Sequence, residues 1–418
     1  MDMNRNLPVM LHGFRHEASA PEAPILPSRR LFIGTVGLSA LLAGCAGTGL
    51  DGLITSDSDA SKTPATAGDV LGTGSVKVAL ILPLSSANGQ AAAVSLKNAA
   101  AMAISDFGGN GQSGIQIHVK DDKGTPDGAR QAAQEALAQG AELIMGPLFG
   151  PSVQAAASVA KPAGKPMIAF SSDAGVAQPG VYLLSFLPQG DVRRIVSFAA
   201  SRGKKSYAAL IPQSAYGNVV EAEFMQVANT GGRRAGPVAR FQPGNPASIT
   251  TAVNQLKASM GQFDALFIAE GADGIGTVAS ALSGAGISSR QVQFLSTGIW
   301  SDARVYRAPG FDGAWYAAPD NSRFNALASR YQSQFGAAPS RIASLAYDAV
   351  TLASALTQNF GTQRFSEATL TNSNGFSGQD GVFRFRQNGT NDRGLAVYEI
   401  TGGSARVISA APTTFVGN

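Results

Sequence analysis

Short apolar runs alternate with longer amphipathic stretches over most of the chain. Val76 to Leu82 is the first sustained apolar run, and Pro83 ends it. Ala91 to Phe107 follows with helical character. Ile115 to Lys120 alternates apolar and polar, as a half-buried strand does, and stops at Asp121-Asp122. Thr125-Pro126-Asp127 supplies an N-cap, a first-turn proline and an acid at the positive end of a helix dipole. Ala129, Ala132, Ala133, Ala136 and Leu137 give that helix one small-residue face, suited to close packing on a sheet. Leu143 to Met145, a helical run, and Met167 to Phe170 then read as a βαβ unit, and Tyr182 to Leu187 adds an extended run.

A second series repeats this order. Strands are expected at Tyr207 to Ile211, Val238 to Phe241, Ala265 to Ala269 and Gln293 to Leu295. Helical spacing separates them: Val220, Phe224, Val227; then Ile249, Val253, Leu256, Met260; then Ile275, Val278, Ala279, Leu282. Two helices follow, about Arg323 to Phe335 and Ile342 to Asn359. Strands at Gly381 to Arg386 and Leu395 to Ile400, about a hairpin-like turn at Gln387-Asn388-Gly389, close the chain. The pattern predicts an α/β protein with two Rossmann-like lobes, each a parallel sheet covered on both faces. Ligands of such sheets bind beyond the carboxyl ends of the strands, which here carry Gly, hydroxyl and carboxylate groups.

The N-terminus departs from this pattern. Arg29-Arg30 precede an apolar run, Leu31 to Ala43, too short to span a bilayer, as in a secretory signal. Residues 46–74 are rich in Gly, Ser, Thr, Ala and Asp, as in a flexible tether. Leu42-Ala43-Gly44-Cys45 resembles the lipobox of bacterial lipoproteins. That resemblance implies a signal peptide over 1–44, cleavage before Cys45, lipidation of Cys45, and a periplasmic protein held to a membrane by its lipid. Ser28-Arg29-Arg30-Leu31-Phe32 also resembles a twin-arginine export motif, so the export route stays open.

Composition narrows the chemistry. The chain has 418 residues and a formal charge of +4 with no dense basic stripe, so no nucleic-acid footprint is present. Cys45 is the single cysteine, and only His118 remains after the leader. This removes an intramolecular disulfide, Cys/His nucleophile chemistry and Cys/His metal sites; no cofactor is implied. The expectation is a binding protein, not an enzyme. Gly271-Ala272-Asp273-Gly274-Ile275-Gly276 lacks the full dinucleotide fingerprint and reads first as a strand-to-helix turn. Asp121-Asp122 reads as a solvated loop before a cation site. Ser171-Ser172-Asp173 are equally ligand contacts or helix caps. Tyr216 reads as a ligand cap, Trp300 as a cleft wall, and Trp315 as packing near a hinge.

The two series, the leader and the tail together resemble the type I periplasmic binding proteins of the leucine/isoleucine/valine branch. The resemblance is carried by Val78-Ala79-Leu80-Ile81-Leu82-Pro83-Leu84-Ser85, Gly146-Pro147-Leu148, Ala215-Tyr216-Gly217, Ala346-Tyr347-Asp348-Ala349, Gly378 through Gly381, Phe383-Arg384-Phe385 and Val397-Tyr398-Glu399-Ile400. It implies a clamshell with lobe 1 at 75–187 and 316–380, lobe 2 at 188–315 and 381–412, and crossovers near Leu187, Trp315 and Gly381. It implies a small polar, amino-acid-like ligand delivered to an ABC permease. By position its contacts are Ser85, Ser86, Gly146, Leu148, Ser171, Ser172, Asp173, Tyr216, Glu270, Asp273 and Thr297. Gly150-Pro151 stands where amino-acid binders carry a hydroxyl, and the family's amine-binding acid aligns near Gly274, beside Asp273. The pattern is similar also to the lipoprotein activators of penicillin-binding proteins, which share the fold.

Overall fold

The computed structural model describes residues 69–107 and 114–415. The expected signal peptide, Cys45 and most of the tether lie outside the described residues.

The first series runs β1 (Val70–Leu71), β2 (Val76–Leu82), α1 (Gln90–Phe107), β3 (Ile115–Asp121), α2 (Pro126–Ala138), β4 (Leu143–Met145), α3 (Gly150–Ala160), β5 (Met167–Ala169) and β6 (Val181–Leu183). Its sheet has the order β1-β3-β2-β4-β5-β6, parallel except for β1. The alternation within β2 decides how the two faces are covered. Val78, Leu80 and Leu82 pack into one core, with α1 and a later helix, while Ala79 and Ile81 pack into the other, with α2 and α3. The alanine face of α2 lies in that second core, and the Thr125 hydroxyl accepts from the Gly128 N–H at 3.1 Å, capping the helix as the sequence predicts.

The second series is α4 (Pro188–Ser201), β7 (Ser206–Pro212), α5 (Ala215–Ala228), β8 (Arg234–Phe241), α6 (Pro246–Lys257), β9 (Ala265–Ile268), α7 (Ile275–Gly284), β10 (Gln293–Ser296), α8 (Ala303–Tyr306) and β11 (Trp315–Ala318). Then come α9 (Ser322–Phe335), α10 (Ala343–Phe360), α11 (Glu367–Leu370), β12 (Phe376–Gly378), β13 (Gly381–Phe385), β14 (Asn391–Arg393), β15 (Ala396–Thr401) and β16 (Ser404–Ser409). The second sheet is β16-β15-β11-β10-β9-β7-β8, and its two faces again bury separate cores.

The tail differs from the hairpin expectation. Strands β13 and β15 both form but do not pair. β13 joins β12 and β14 in a small sheet, while β15 crosses to pair with β11 and β16. Phe383 and Phe385 pack into the first lobe's core, so β13 stays with that lobe. Trp315 to Ala318 is a strand of the second sheet. The second and third passages between lobes therefore fall later than Trp315 and Gly381, after Ala318 and after Arg393. The first, at Leu187, coincides with the start of α4.

The first and third passages are braced together, and the second is tied to Arg341 of the first lobe. The Asn391 amide donates to the carbonyls of Leu183 (2.7 Å) and Ser185 (2.9 Å). The Arg393 Nε donates to Ser185 at 3.1 Å, and an Arg341 Nη donates to the Asn321 side chain at 3.1 Å.

Candidate functional site

A cavity of about 560 Å³ lies at the carboxyl ends of the strands, beside the passages between lobes. Most lining groups come from a strand tip or a passage: Ser172 after β5, Phe186 after β6, Tyr216 after β7, Thr297 after β10, Asn321 after β11, and Arg393 at the end of β14; Phe324 and Asn325 come from α9, and Arg341 lies between α9 and α10. This is where a parallel sheet leaves backbone and short side chains free to meet a ligand.

The polar wall of the cavity is charged. Asp191, in the first turn of α4, accepts from the Gly298 N–H at 2.9 Å. Burial pushes its carboxyl up to about 7, against that hydrogen bond and the attraction of Arg393 and Arg193. Arg341 is held between two rings, with its guanidinium carbon 4.1 Å from the Phe324 centroid and 4.7 Å from that of Phe186. It pairs with Asp380 at 2.5 Å. Arg393 lies over the Phe186 ring at 4.8 Å, and both of its terminal nitrogens are buried without a hydrogen-bond partner. Burial lowers its pKa, opposed by Asp380 and Asp348. The Tyr216 hydroxyl and Thr297 Oγ1 are 2.6 Å apart, and burial raises the phenol's pKa. Leu187, Pro188, Ile299 and Leu395 supply the apolar wall.

The structure brings three of the expected contacts to this cavity, Ser172, Tyr216 and Thr297. The other eight do not line it. The Ser85 N–H donates to Asp121 at 3.3 Å, and Ser86 approaches Gly124 of the loop after β3. Gly146 is buried against the Ile81 backbone, and Leu148 packs on the first lobe's core. Ser171 and Asp173 make local caps: the Asp173 N–H donates to Ser171 Oγ at 3.2 Å, and Asp173 accepts from the Gly175 N–H at 2.9 Å. Glu270 accepts from its neighbour Gly271 at 2.9 Å, and burial raises its pKa. Asp273 pairs with Arg304 at 2.6 Å on the exposed surface.

Trp300 is fully buried in the second lobe's core, against Phe311, and donates to the Glu270 carbonyl at 3.0 Å; it is not a cleft wall. Trp315 packs edge-on against Phe198 in the same lobe. Strand-tip reasoning does not find Phe186, Asp191, Phe324, Arg341 and Arg393, which also line the cavity. Their one sequence signal is position: all but Arg341, which lies between α9 and α10, are at or near a passage between lobes.

Among the described residues no group of His, Cys, Asp or Glu is arranged to hold a metal ion. The arrangement offers hydrogen-bond donors, a buried carboxyl and an apolar wall, which suits reversible capture of a small molecule.

A profile described as "periplasmic binding protein" matches residues 75–405. No curated protein sequence matches the chain. Among solved structures, a putative branched-chain amino acid ABC transporter protein from Rhodospirillum rubrum is similar, at 18% identity, TM-score 0.71, covering 80% of this chain and 99% of that one. A branched-chain amino acid ABC transporter periplasmic ligand-binding protein from Burkholderia xenovorans gives 18% identity and TM-score 0.65, over 82% of this chain and 97% of that one. An ABC transporter solute-binding protein from R. palustris, in complex with benzoate, gives 18% identity and TM-score 0.56, over 82% and 97%.

Proposed function

We propose that this chain, which belongs to the periplasmic binding protein family, is an extracytoplasmic lipoprotein that captures a small polar, amino-acid-like solute for an ABC importer. The cavity of about 560 Å³ carries the reading. Its volume suits a small ligand, and its lining comes from both lobes and the passages between them, so a bound molecule touches every part that moves when the lobes close. Differential contact of that kind is what allows a ligand to bias one lobe arrangement over another. Similar structures described as amino acid ABC transporter proteins support the importer role.

Thermal-shift screening of the full chain against amino acids and related solutes tests this. A binder present at about 100 times its dissociation constant is expected to stabilise by about 2.7 kcal/mol. No response from any solute, together with co-purification of a cell-wall synthase, would overturn the importer reading in favour of a penicillin-binding protein activator.

Lipidation at Cys45 supplies the anchor in this account, with the residues between it and β1 as the spacer; the tether expected to reach residue 74 ends earlier, because Val70–Leu71 pairs with β3. Cys45→Ser is expected to move the protein from the membrane fraction to the soluble periplasmic fraction. Retention of the variant in the membrane fraction would contradict the anchor.

A further inference from the structure

We propose that a basic pole on the second lobe, at the end of its sheet opposite the cavity, rests on a bilayer of anionic phospholipids. The strands β7 to β11 run parallel, so their amino ends share one edge while the cavity lies at the other. Arg202, Lys204 and Lys205 lead into β7; Arg233 precedes β8, which Arg234 opens. The two turns are neighbours: Ser206 pairs with Arg234, and the Arg234 N–H donates to the Lys205 carbonyl at 2.9 Å. Lys257, in the last turn of α6 before β9, adds a further cation. All of these side chains are exposed or half-buried. The sequence shows no basic stripe because residues 202–205 and 233–234 meet through the pairing of β7 with β8.

These charges are not answered within the chain. The turns before β7, β8 and β9 hold one acid, Asp264, which accepts from the Lys205 N–H at 3.0 Å and the Ser206 N–H at 3.1 Å. Arg233 and Arg234 donate to the main-chain carbonyls of Val227 (3.0 Å) and Gln262 (3.1 Å), which fixes their position and leaves their charge. Elsewhere on the surface Arg130, Arg304 and Arg406 pair with Asp127, Asp302 and Glu399. A patch of one sign attracts a surface of the other. The anchor of the reading above selects a bilayer as that surface. The chain from Cys45 to Asp69 spans at most about 80 Å and as a coil about 25–30 Å, which keeps both lobes near the leaflet that holds the lipid. A polybasic patch is a second membrane signal beside a lipid, and each cation close to an anionic surface strengthens the hold roughly fivefold. Contact through this pole leaves the cavity open.

Vesicle flotation of the full chain carrying Cys45→Ser, which takes no lipid, tests the surface by itself. Vesicles of equal parts phosphatidylcholine and phosphatidylglycerol are expected to bind it at about 0.05 M salt, with binding at least about tenfold weaker to pure phosphatidylcholine or at about 0.5 M salt. Adding Lys204→Gln and Lys205→Gln together is expected to weaken binding to the anionic vesicles at least about tenfold. Lys161→Gln with Lys165→Gln, which removes the same charge from the first lobe, is expected to weaken it by no more than about threefold. No binding to the anionic vesicles, equal binding to both kinds, or equal losses in the two double variants would overturn the proposal. Binding to polyglutamate in solution without binding to the anionic vesicles would assign the pole to a soluble polyanion, and overturns it too. Should a variant fail to fold, the vesicle and salt comparisons still decide. Solute capture stands or falls separately, since none of these residues lines the cavity.

Discussion

Gly146→Ala is expected to destabilise the protein by more than about 3 kcal/mol, enough to abolish folding of a marginally stable lobe. Gly146 follows β4 with φ of +85°, a conformation costly for any residue with a Cβ. It also has no room: a Cβ there would sit 2.1 Å from the Ile81 carbonyl oxygen. That oxygen belongs to β2, the central strand paired with both β3 and β4, and it cannot withdraw without disturbing both ladders. The Gly146 N–H meanwhile donates to Ile168 at 2.8 Å, which fixes the turn from the other side. Chemical denaturation followed by circular dichroism measures the loss. A variant within about 1 kcal/mol of the wild type would show that the strand tip is not packed as described.

The second large effect is on pH dependence, through Asp348. Burial, with Asp380 nearby, pushes this carboxyl up to about 7, opposed by the hydrogen bond from Gln379 and by Arg393 and Arg323. An unfolded aspartate titrates near 3.9. Between those values the native state binds the extra proton. Stability from this group is therefore fully present below about pH 4, falls as the pH rises, and is lost above about pH 7. Asp191 acts in the same direction over the same window. Together they are expected to lower stability by a few kcal/mol between about pH 5 and pH 8. Asp348→Asn keeps an oxygen for the Gln379 N–H and removes the buried charge. It is expected to raise stability at about pH 8 by roughly 1–3 kcal/mol and to flatten the dependence. Urea denaturation at both pH values checks this; a loss of stability at pH 8, or an unchanged slope, would contradict it.

Much of the fold is legible in local pattern. Leu143 to Met145 forms a strand with the expected bounds, and Thr125 caps its helix, because apolar periodicity and cap chemistry act over a few residues. The tail is hidden for the opposite reason. Gly381 to Arg386 and Leu395 to Ile400 look like partners across a turn, yet β15 finds a better edge on β11, about 80 residues earlier in sequence. Nothing in a local pattern reports that pairing.

The site was partly legible for a related reason. Strand-tip logic finds Ser172, Tyr216 and Thr297, whose strands point into the cavity. The same logic selects Asp273 and Ser85, whose side chain and backbone N–H are taken up by Arg304 and Asp121. Arg341 and Arg393 stand alone in sequence, and only the convergence of the three passages makes them neighbours of Phe186.

The central claim, that a solute sits in the cavity between the lobes, is met most directly by filling that space. Gly190 lines the cavity in the first turn of α4, and a Cβ there meets nothing nearer than Leu395 at 4.0 Å. Gly190→Phe therefore projects a ring into the cavity without strain in the helix. Calorimetric titration of this variant beside the wild type, with any solute that stabilises the wild type, is expected to show binding abolished while the melting temperature of the free protein is kept. Unchanged affinity in the filled variant would contradict the account.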